Sequence, residues 1–236
     1  MQLAGKIAVV SGASSGLGAA LSKQLVANGV RVYGLARRTS ALLALQSAIG
    51  AAFVPVTLDI TDKNKLDTWL RETFDEDCSP DILVNNAGCG FFEPFDLMSS
   101  DKWQQTIDTN LNGMYNLTAA LVPFMKVKTS TSHIINMGSI LGGMGRAEAA
   151  AYCTVKYGVR GFSEALMLEL RAFNIKVSCV NPGSIATDFF HDSGITPHKN
   201  MLQPEELAQT LIHILSCPDN MLISEVTIRP LDARKP

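Results

Sequence analysis

Tyr152 and Lys156 stand four residues apart in Tyr-Cys-Thr-Val-Lys, and Ser139 closes an apolar stretch thirteen residues before the tyrosine. On a helix, positions i and i+4 share one face, so the spacing predicts the Lys156 ammonium beside the Tyr152 phenol. A free phenol titrates near pH ~10 and is a poor base at neutrality. A neighbouring positive charge favours the phenolate and lowers that value. The result is an acid or base usable near neutral pH. Ser139 supplies a second hydrogen bond to the same substrate oxygen. Taken alone, such a pair is an ordinary contact on a helix surface; what precedes it gives it weight.

Ile7-Ala8-Val9-Val10 reads as a short, buried, β-branched strand. It runs into Ser11-Gly12-Ala13-Ser14-Ser15-Gly16-Leu17-Gly18 and then a helical stretch to about Asn28. Glycines let such a turn bend and bring backbone close to an anion. The helix that follows offers unpaired N–H groups and a positive dipole end to a pyrophosphate. The spacing is Gly-x3-Gly-x-Gly rather than the commoner Gly-x-Gly-x2-Gly.

These residues together resemble the short-chain dehydrogenase/reductase family, over nearly the whole chain. Gly12, Gly16 and Gly18, with Ser14, Ser15 and Leu17 between them, are similar to its cofactor loop. Asn85-Asn86-Ala87-Gly88 resembles the element after its fourth strand. Asn110, in Asp-Thr-Asn-Leu-Asn-Gly, matches its active-site asparagine, and Ser139, Tyr152 and Lys156 match its catalytic set. Asn181-Pro182-Gly183, with Ile185 and Thr187 following, resembles the element that holds the nicotinamide. The resemblance implies hydride transfer between nicotinamide C4 and a carbonyl carbon. Tyr152 would give or take the proton. Lys156 would lower its pKa and bond the nicotinamide ribose. Ser139 would orient the substrate oxygen, and Asn110 would kink its helix and hold a water leading to Lys156.

The length, 236 residues, suits one α/β domain with a large core. A net charge of −2 gives no electrostatic case for nucleic acid. Cys78, Cys89, Cys153, Cys179 and Cys217 are scattered, without Cys-x2-Cys pairs. That favours reduced thiols and a cytoplasmic location, and no structural metal. The first strand is expected to begin almost at Met1, so no targeting peptide is expected. No apolar run has the length of a membrane span.

Strands are predicted at Lys6–Ser11, Arg31–Leu35, Ala52–Thr57, Ile82–Asn85, His133–Met137, Lys176–Val180 and Glu225–Ile228, with helices between most of them. That pattern indicates a Rossmann-type, doubly wound parallel sheet of about seven strands with helices on both faces. Ligands of such sheets bind beyond the carboxyl ends of the strands. Ser11, Asn85, Ser139 and Asn181 all fall there. Thr61-Asp62 and Pro204-Glu205-Glu206 read as helix starts.

After the second strand, where an NAD-preferring site usually carries an acid, the chain reads Ala36-Arg37-Arg38. A guanidinium suits a 2′-phosphate. The cofactor expected is NADP(H), with Arg37 the main contact and Arg38 its helper. Asp59-Ile60 resembles the family's adenine contact, although Asp59 equally suits a cap. The substrate pocket is expected from Ser139, Leu141, Met144, Phe189 and Phe190, with Cys89-Gly90-Phe91-Phe92 and a segment over 184–203 as walls. The substrate class is a small to medium, mainly apolar carbonyl or alcohol. His191 and His198 on that segment are further candidates for substrate contact.

Ser11 replaces the threonine usual in the family's glycine loop and keeps the hydroxyl. The end Glu225-Val226-Thr227-Ile228-Arg229-Pro230 lacks the Asp-Gly-Gly of many bacterial members, which shifts weight from fatty-acid ketoacyl reduction toward diverse carbonyls or β-hydroxy acids. The apolar run after Lys156 and the Leu117–Met125 helix predict a symmetric dimer or tetramer. A cofactor-binding regulator without turnover is the competing class, and the intact Ser139, Tyr152 and Lys156 speak against it.

Overall fold

A computed structural model describes residues 1–75, 78–190 and 199–231, the side chain of Phe190 excepted. Seven strands form one parallel sheet: β1 Ile7–Ser11, β2 Arg31–Ala36, β3 Phe53–Thr57, β4 Ile82–Asn85, β5 Ser132–Met137, β6 Ile175–Pro182 and β7 Glu225–Ile228. Their order is β3-β2-β1-β4-β5-β6-β7. Each expected strand is present within two residues of its expected start and end.

The helices are α1 Gly16–Ala27, α2 Thr39–Ile49, α3 Lys63–Thr73, α4 Ser100–Ile107, α5 Gly113–Lys126, α6 Ala150–Leu170 and α7 Pro204–Ser216. Because strand side chains alternate in direction, β1 feeds two cores. Ala8 and Val10 pack with Leu21 and Leu25 of α1, Leu42 of α2 and Leu211 of α7. Val9 packs on the other face with Leu66 of α3, Leu117 and Leu121 of α5 and Leu170 of α6. The sheet is thus covered on both sides, which is why its strands read as unbroken apolar runs.

Local signals set the helix boundaries. Asp62 caps α3, its carboxylate accepting from the Lys65 N–H at 3.1 Å. Pro204 opens α7, and Gln203 and Glu206 form a reciprocal capping box there. Between α4 and α5 the backbone widens into a π-turn at Asp108–Asn112, the kink the resemblance implied at Asn110.

The winding reverses between β1 and β4, which lie side by side. A crevice therefore opens beyond their carboxyl ends. Among the described residues, no helix is long and apolar enough to cross a membrane, and no cluster of His, Cys, Asp and Glu could hold a metal. All five cysteines are free.

Candidate active site

The crevice is a cleft of about 1810 Å³ running from the glycine loop past Ser139 to Phe189. Its floor is set at the β1 terminus. Gly12 holds φ +67, and a Cβ there would come within 2.9 Å of Ala87 Cα and the Asn86 amide. Only glycine meets both demands. Gly18 does not line the cleft; it lets α1 press on the Gly12 carbonyl, where a Cβ would overlap the oxygen. Opposite, a Cβ on Gly16 would meet the Thr187 methyl at 2.9 Å, so the loop after β6 closes the cradle from the far side. Ser15, the N-cap of α1, makes no side-chain cap bond. The helix N-terminus is left as a receptor for an anion such as pyrophosphate.

The Ser11 hydroxyl accepts from the Asn86 and Ala87 N–H groups at 3.0 and 3.1 Å. The Asn86 amide returns bonds to the Ser11 and Gly12 carbonyls at 3.0 and 3.3 Å. The β1 and β4 loops are therefore one hydrogen-bonded unit, and the hydroxyl retained at Ser11 is its centre.

At the end of β2 the two arginines part. Arg38 bonds the hydroxyls of Ser14 at 3.1 Å and of Ser15. Arg37 is directed to Asp59, 3.9 Å away. Asp59 also accepts from the Thr61 N–H and hydroxyl at 3.0 and 2.8 Å. It is thus a turn-capping residue that lines the cleft with Ile60.

Ser139 follows β5, its hydroxyl accepting from the Leu141 N–H at 3.1 Å. Tyr152 lies in the first turn of α6, against Phe92 at 5.2 Å and Phe189 at 5.7 Å between ring centroids. Gly90 permits this wall, since a Cβ there would meet the Tyr152 ring at 2.6 Å. One turn on, buried Lys156 donates to the Met137 carbonyl at 2.8 Å, its ammonium 5.5 Å from the Tyr152 ring.

The electrostatics correct one expectation. Burial pushes the Tyr152 phenol above its ordinary value, and the Ser139 hydroxyl only partly offsets that. Lys156 is instead the group drawn toward neutrality: desolvation lowers it to about 8. At Tyr152, desolvation outweighs the Ser139 hydrogen bond, the one cause that favours the phenolate. Burial thus favours the neutral phenol at Tyr152.

Asn110 donates to the Cys89 and Thr106 carbonyls at 2.8 and 2.9 Å. Its Oδ1 is buried without a partner. It faces the same point as Lys156: a Cβ on Gly88 would stand 2.8 Å from that oxygen and 3.9 Å from Lys156 Nζ.

The other expected positions, Leu17, Leu141, Met144, Pro182, Gly183 and Ile185, all line the cleft. The Phe190 side chain, His191 and His198 lie outside the described residues. The sequence reading missed a polar chain behind the site. Asn181 donates to Glu225 at 2.6 Å, Glu225 pairs with Arg160 at 2.6 Å, and Arg160 donates to the Gly142 carbonyl at 3.0 Å. Arg160 stands one turn beyond Lys156, the one local sign of it.

The family described as short chain dehydrogenase matches residues 6–197. The chain belongs to the short-chain dehydrogenase/reductase family. Members of that family similar to it include a 3-oxoacyl-acyl-carrier-protein reductase of Vibrio harveyi, 33% identical over 97% of this chain and 96% of the relative. Another is an uncharacterised oxidoreductase of Staphylococcus epidermidis, 29% identical over 96% and 97%. A glycine betaine reductase of Emericella nidulans is 33% identical over 98% of this chain, which spans 19% of that much longer protein. Among solved structures, a serine dehydrogenase complexed with NADP+ superposes with a TM-score of 0.88 at 28% identity, covering 94% of this chain and 93% of the other. A Brucella melitensis 3-ketoacyl-acyl-carrier-protein reductase complexed with NADH gives 0.88 at 26% identity, covering 97% and 98%. As a short-chain dehydrogenase/reductase, the chain is an oxidoreductase of Rossmann-type fold.

Proposed function

We propose that this oxidoreductase uses NADP(H) to interconvert a carbonyl and a secondary alcohol, with Tyr152 as general acid/base. The observation that carries the reading is the convergence of Ser139, Tyr152 and Lys156 on the same cleft as the glycine cradle. The cradle fits a dinucleotide. Its space is one a Cβ at Gly12 or Gly16 would fill, and it ends at an uncapped helix terminus. When bound, the nicotinamide supplies or accepts a hydride at the carbonyl carbon.

In reduction, Tyr152 passes its phenolic proton to the carbonyl oxygen. Burial keeps that proton in place until the oxygen gains charge. The Ser139 hydroxyl donates to the same oxygen and stabilises that charge. The Lys156 ammonium favours the phenolate left behind. Asn110 offers its unpartnered oxygen to a water that returns a proton by way of Lys156.

For the cofactor's 2′-phosphate we put Arg38 ahead of Arg37, because Arg38 is tied to the glycine loop while Arg37 faces Asp59. NADP+ is the cofactor in one of the similar structures and NADH in the other. The working unit is taken as one domain over 1–236, with 184–203 as its substrate loop. Exposed apolar residues on α5 and α6, Tyr115, Tyr157 and Leu168, support a dimer or tetramer built on that face. A monomer by light scattering at micromolar concentration would refute the assembly.

The reaction is tested by following NADPH absorbance against ketones, aldehydes, diketones and β-keto esters, with Tyr152→Phe alongside. That variant keeps the ring packing and deletes the proton. Loss of turnover is expected, and undiminished turnover would overturn the scheme.

A further inference from the structure

The substrate end of the cleft is more basic than the rest of the molecule gives reason to expect. The chain carries a net charge of −2. Yet among the described residues Lys102, Arg146, Lys199 and Arg229 line that end against a single acid, Asp188. Lys102 is neutralised by Glu93 at 2.7 Å. Arg146 and Arg229 have no acidic partner among the described residues. Arg146 stacks 5.4 Å above the Phe92 ring, which itself packs on Tyr152. The only polar contact of Arg229 among those residues is with the Met144 sulfur at 3.9 Å.

Arg229 also lines a second space. A polar recess of about 200 Å³ opens beside Ser139, bounded by Asn181, Thr227, Arg160 and Arg229. The two arginines in it differ in kind. Arg160 is engaged on both sides, by Glu225 at 2.6 Å and the Gly142 carbonyl at 3.0 Å. Arg229, whose one polar contact among the described residues is the Met144 sulfur, stands where recess and cleft meet.

We infer that the substrate bears a carboxylate on, or one carbon removed from, its carbonyl or hydroxyl carbon, and that Arg229, with Arg146 lining the same cleft, receives it. The inference rests on the carbonyl/alcohol reading above and deepens it. The reacting oxygen sits at Ser139 and Tyr152, and the apolar body lies against Phe92 and Phe189. The anionic group turns toward the recess. A guanidinium presents two parallel N–H groups that match a carboxylate. A phosphate would be better served by backbone donors at a helix terminus. The cleft's cofactor end offers such a terminus at α1. A cleft lined by one sign of charge also concentrates anions at its mouth, an effect that salt screens.

The test compares phenylglyoxylate and acetoacetate, each with its methyl ester, as substrates with NADPH. The wild-type protein is expected to favour each acid over its ester by at least about tenfold in kcat/KM, the worth of one charge-assisted bond. Added salt raises KM for the acids and leaves KM for the esters flat. Arg229→Gln brings the acid-to-ester ratio close to one, and Arg229→Lys restores part of it. Circular dichroism checks that the variants fold. Esters used as well as acids, or an acid preference that survives both Arg229→Gln and Arg146→Gln, would overturn the inference while leaving carbonyl reduction standing. If no compound is turned over, the carbonyl reading fails, and phenylglyoxylate binding to the protein–NADPH complex, followed by calorimetry, decides the anion site. Binding lost in Arg229→Gln supports it, and no binding to wild type refutes it.

Discussion

Replacing Ser11 by Ala removes one oxygen and strands one donor: the Ala87 N–H loses its partner, while the Asn86 N–H keeps the Val84 carbonyl at 3.1 Å. The hydroxyl is 1% exposed and accepts from the N–H groups of both Asn86 and Ala87. Leaving a buried donor unsatisfied costs about 1–3 kcal/mol, more than the net worth of the bond itself. Ala87 is only partly buried, so about 1–2 kcal/mol is expected. In a chain of this size each kcal/mol moves the midpoint by roughly 2–4 °C, so a fall of about 2–8 °C is expected in thermal unfolding followed by circular dichroism. Ser22 is the matched control. It too is fully buried, but its hydroxyl donates to the Gly18 carbonyl within α1. Its loss leaves no donor without a partner, so Ser22→Ala is expected to cost less than about 1 kcal/mol. Because the Ser11 bonds also hold the β4 loop against Gly12, Ser11→Ala is expected to weaken NADPH binding in a fluorescence titration. A Ser11→Ala protein no less stable than Ser22→Ala would refute the reasoning.

Further outcomes follow from the same geometry. Arg38→Ala is expected to weaken NADPH at least about tenfold more than NADH, with Arg37→Ala the milder change; equal weakening of both cofactors in both variants would remove the 2′-phosphate assignment. His133 is buried against Ser178 at 2.8 Å and lowered to about 3, chiefly by desolvation. Its folded value lies below the unfolded one, near 6.5, so its contribution is complete above pH ~6.5 and is lost as pH falls toward ~3. That loss is about 2 kcal/mol at pH ~5, and urea midpoints should lose this dependence in His133→Gln. Lys156 is lowered to about 8. NADPH-dependent reduction is therefore expected to decline above about pH 8 as the ammonium loses its proton, while folding stability gains from the same group between about 8 and the ordinary lysine value. A flat rate across that range would argue against an ammonium role.

The fold was legible because each of its signals is local. β1 and β4 are short, apolar and β-branched, as strands buried on both faces must be. Asp62 and Pro204 announce their helices by capping chemistry that operates within one turn. Gly12, Ser139, Tyr152, Lys156 and Asn110 were legible for a related reason: the chain brings each to the end of a strand or the first turns of a helix, where family spacing identifies it. What was not legible depends on two distant segments at once. The raised phenol of Tyr152 comes from Phe92 and Phe189, 60 and 37 residues away along the chain. Arg37 and Arg38 are sequence neighbours, and only the tertiary structure sends one to Asp59 and the other to Ser14 and Ser15.

The polar chain from Asn181 through Glu225 and Arg160 to Gly142 shows why this matters for the site. It joins four elements: the end of β6, the start of β7, the middle of α6 and the loop that carries Ser139. Each link is charged or charge-assisted, and so shorter and stronger than a neutral bond. Glu225 is half-exposed and gains little from Arg160 as an isolated surface pair. Its value lies in what the two residues hold. Asn181 precedes the Pro182-Gly183 turn that lines the cleft, and Gly142 sits three residues beyond Ser139 in the turn that aims its hydroxyl. Of the two guanidiniums at the recess, Arg160 is held by an acid and Arg229, among the described residues, is not. One ion pair thereby ties the loop that carries Ser139 to α6 and β7.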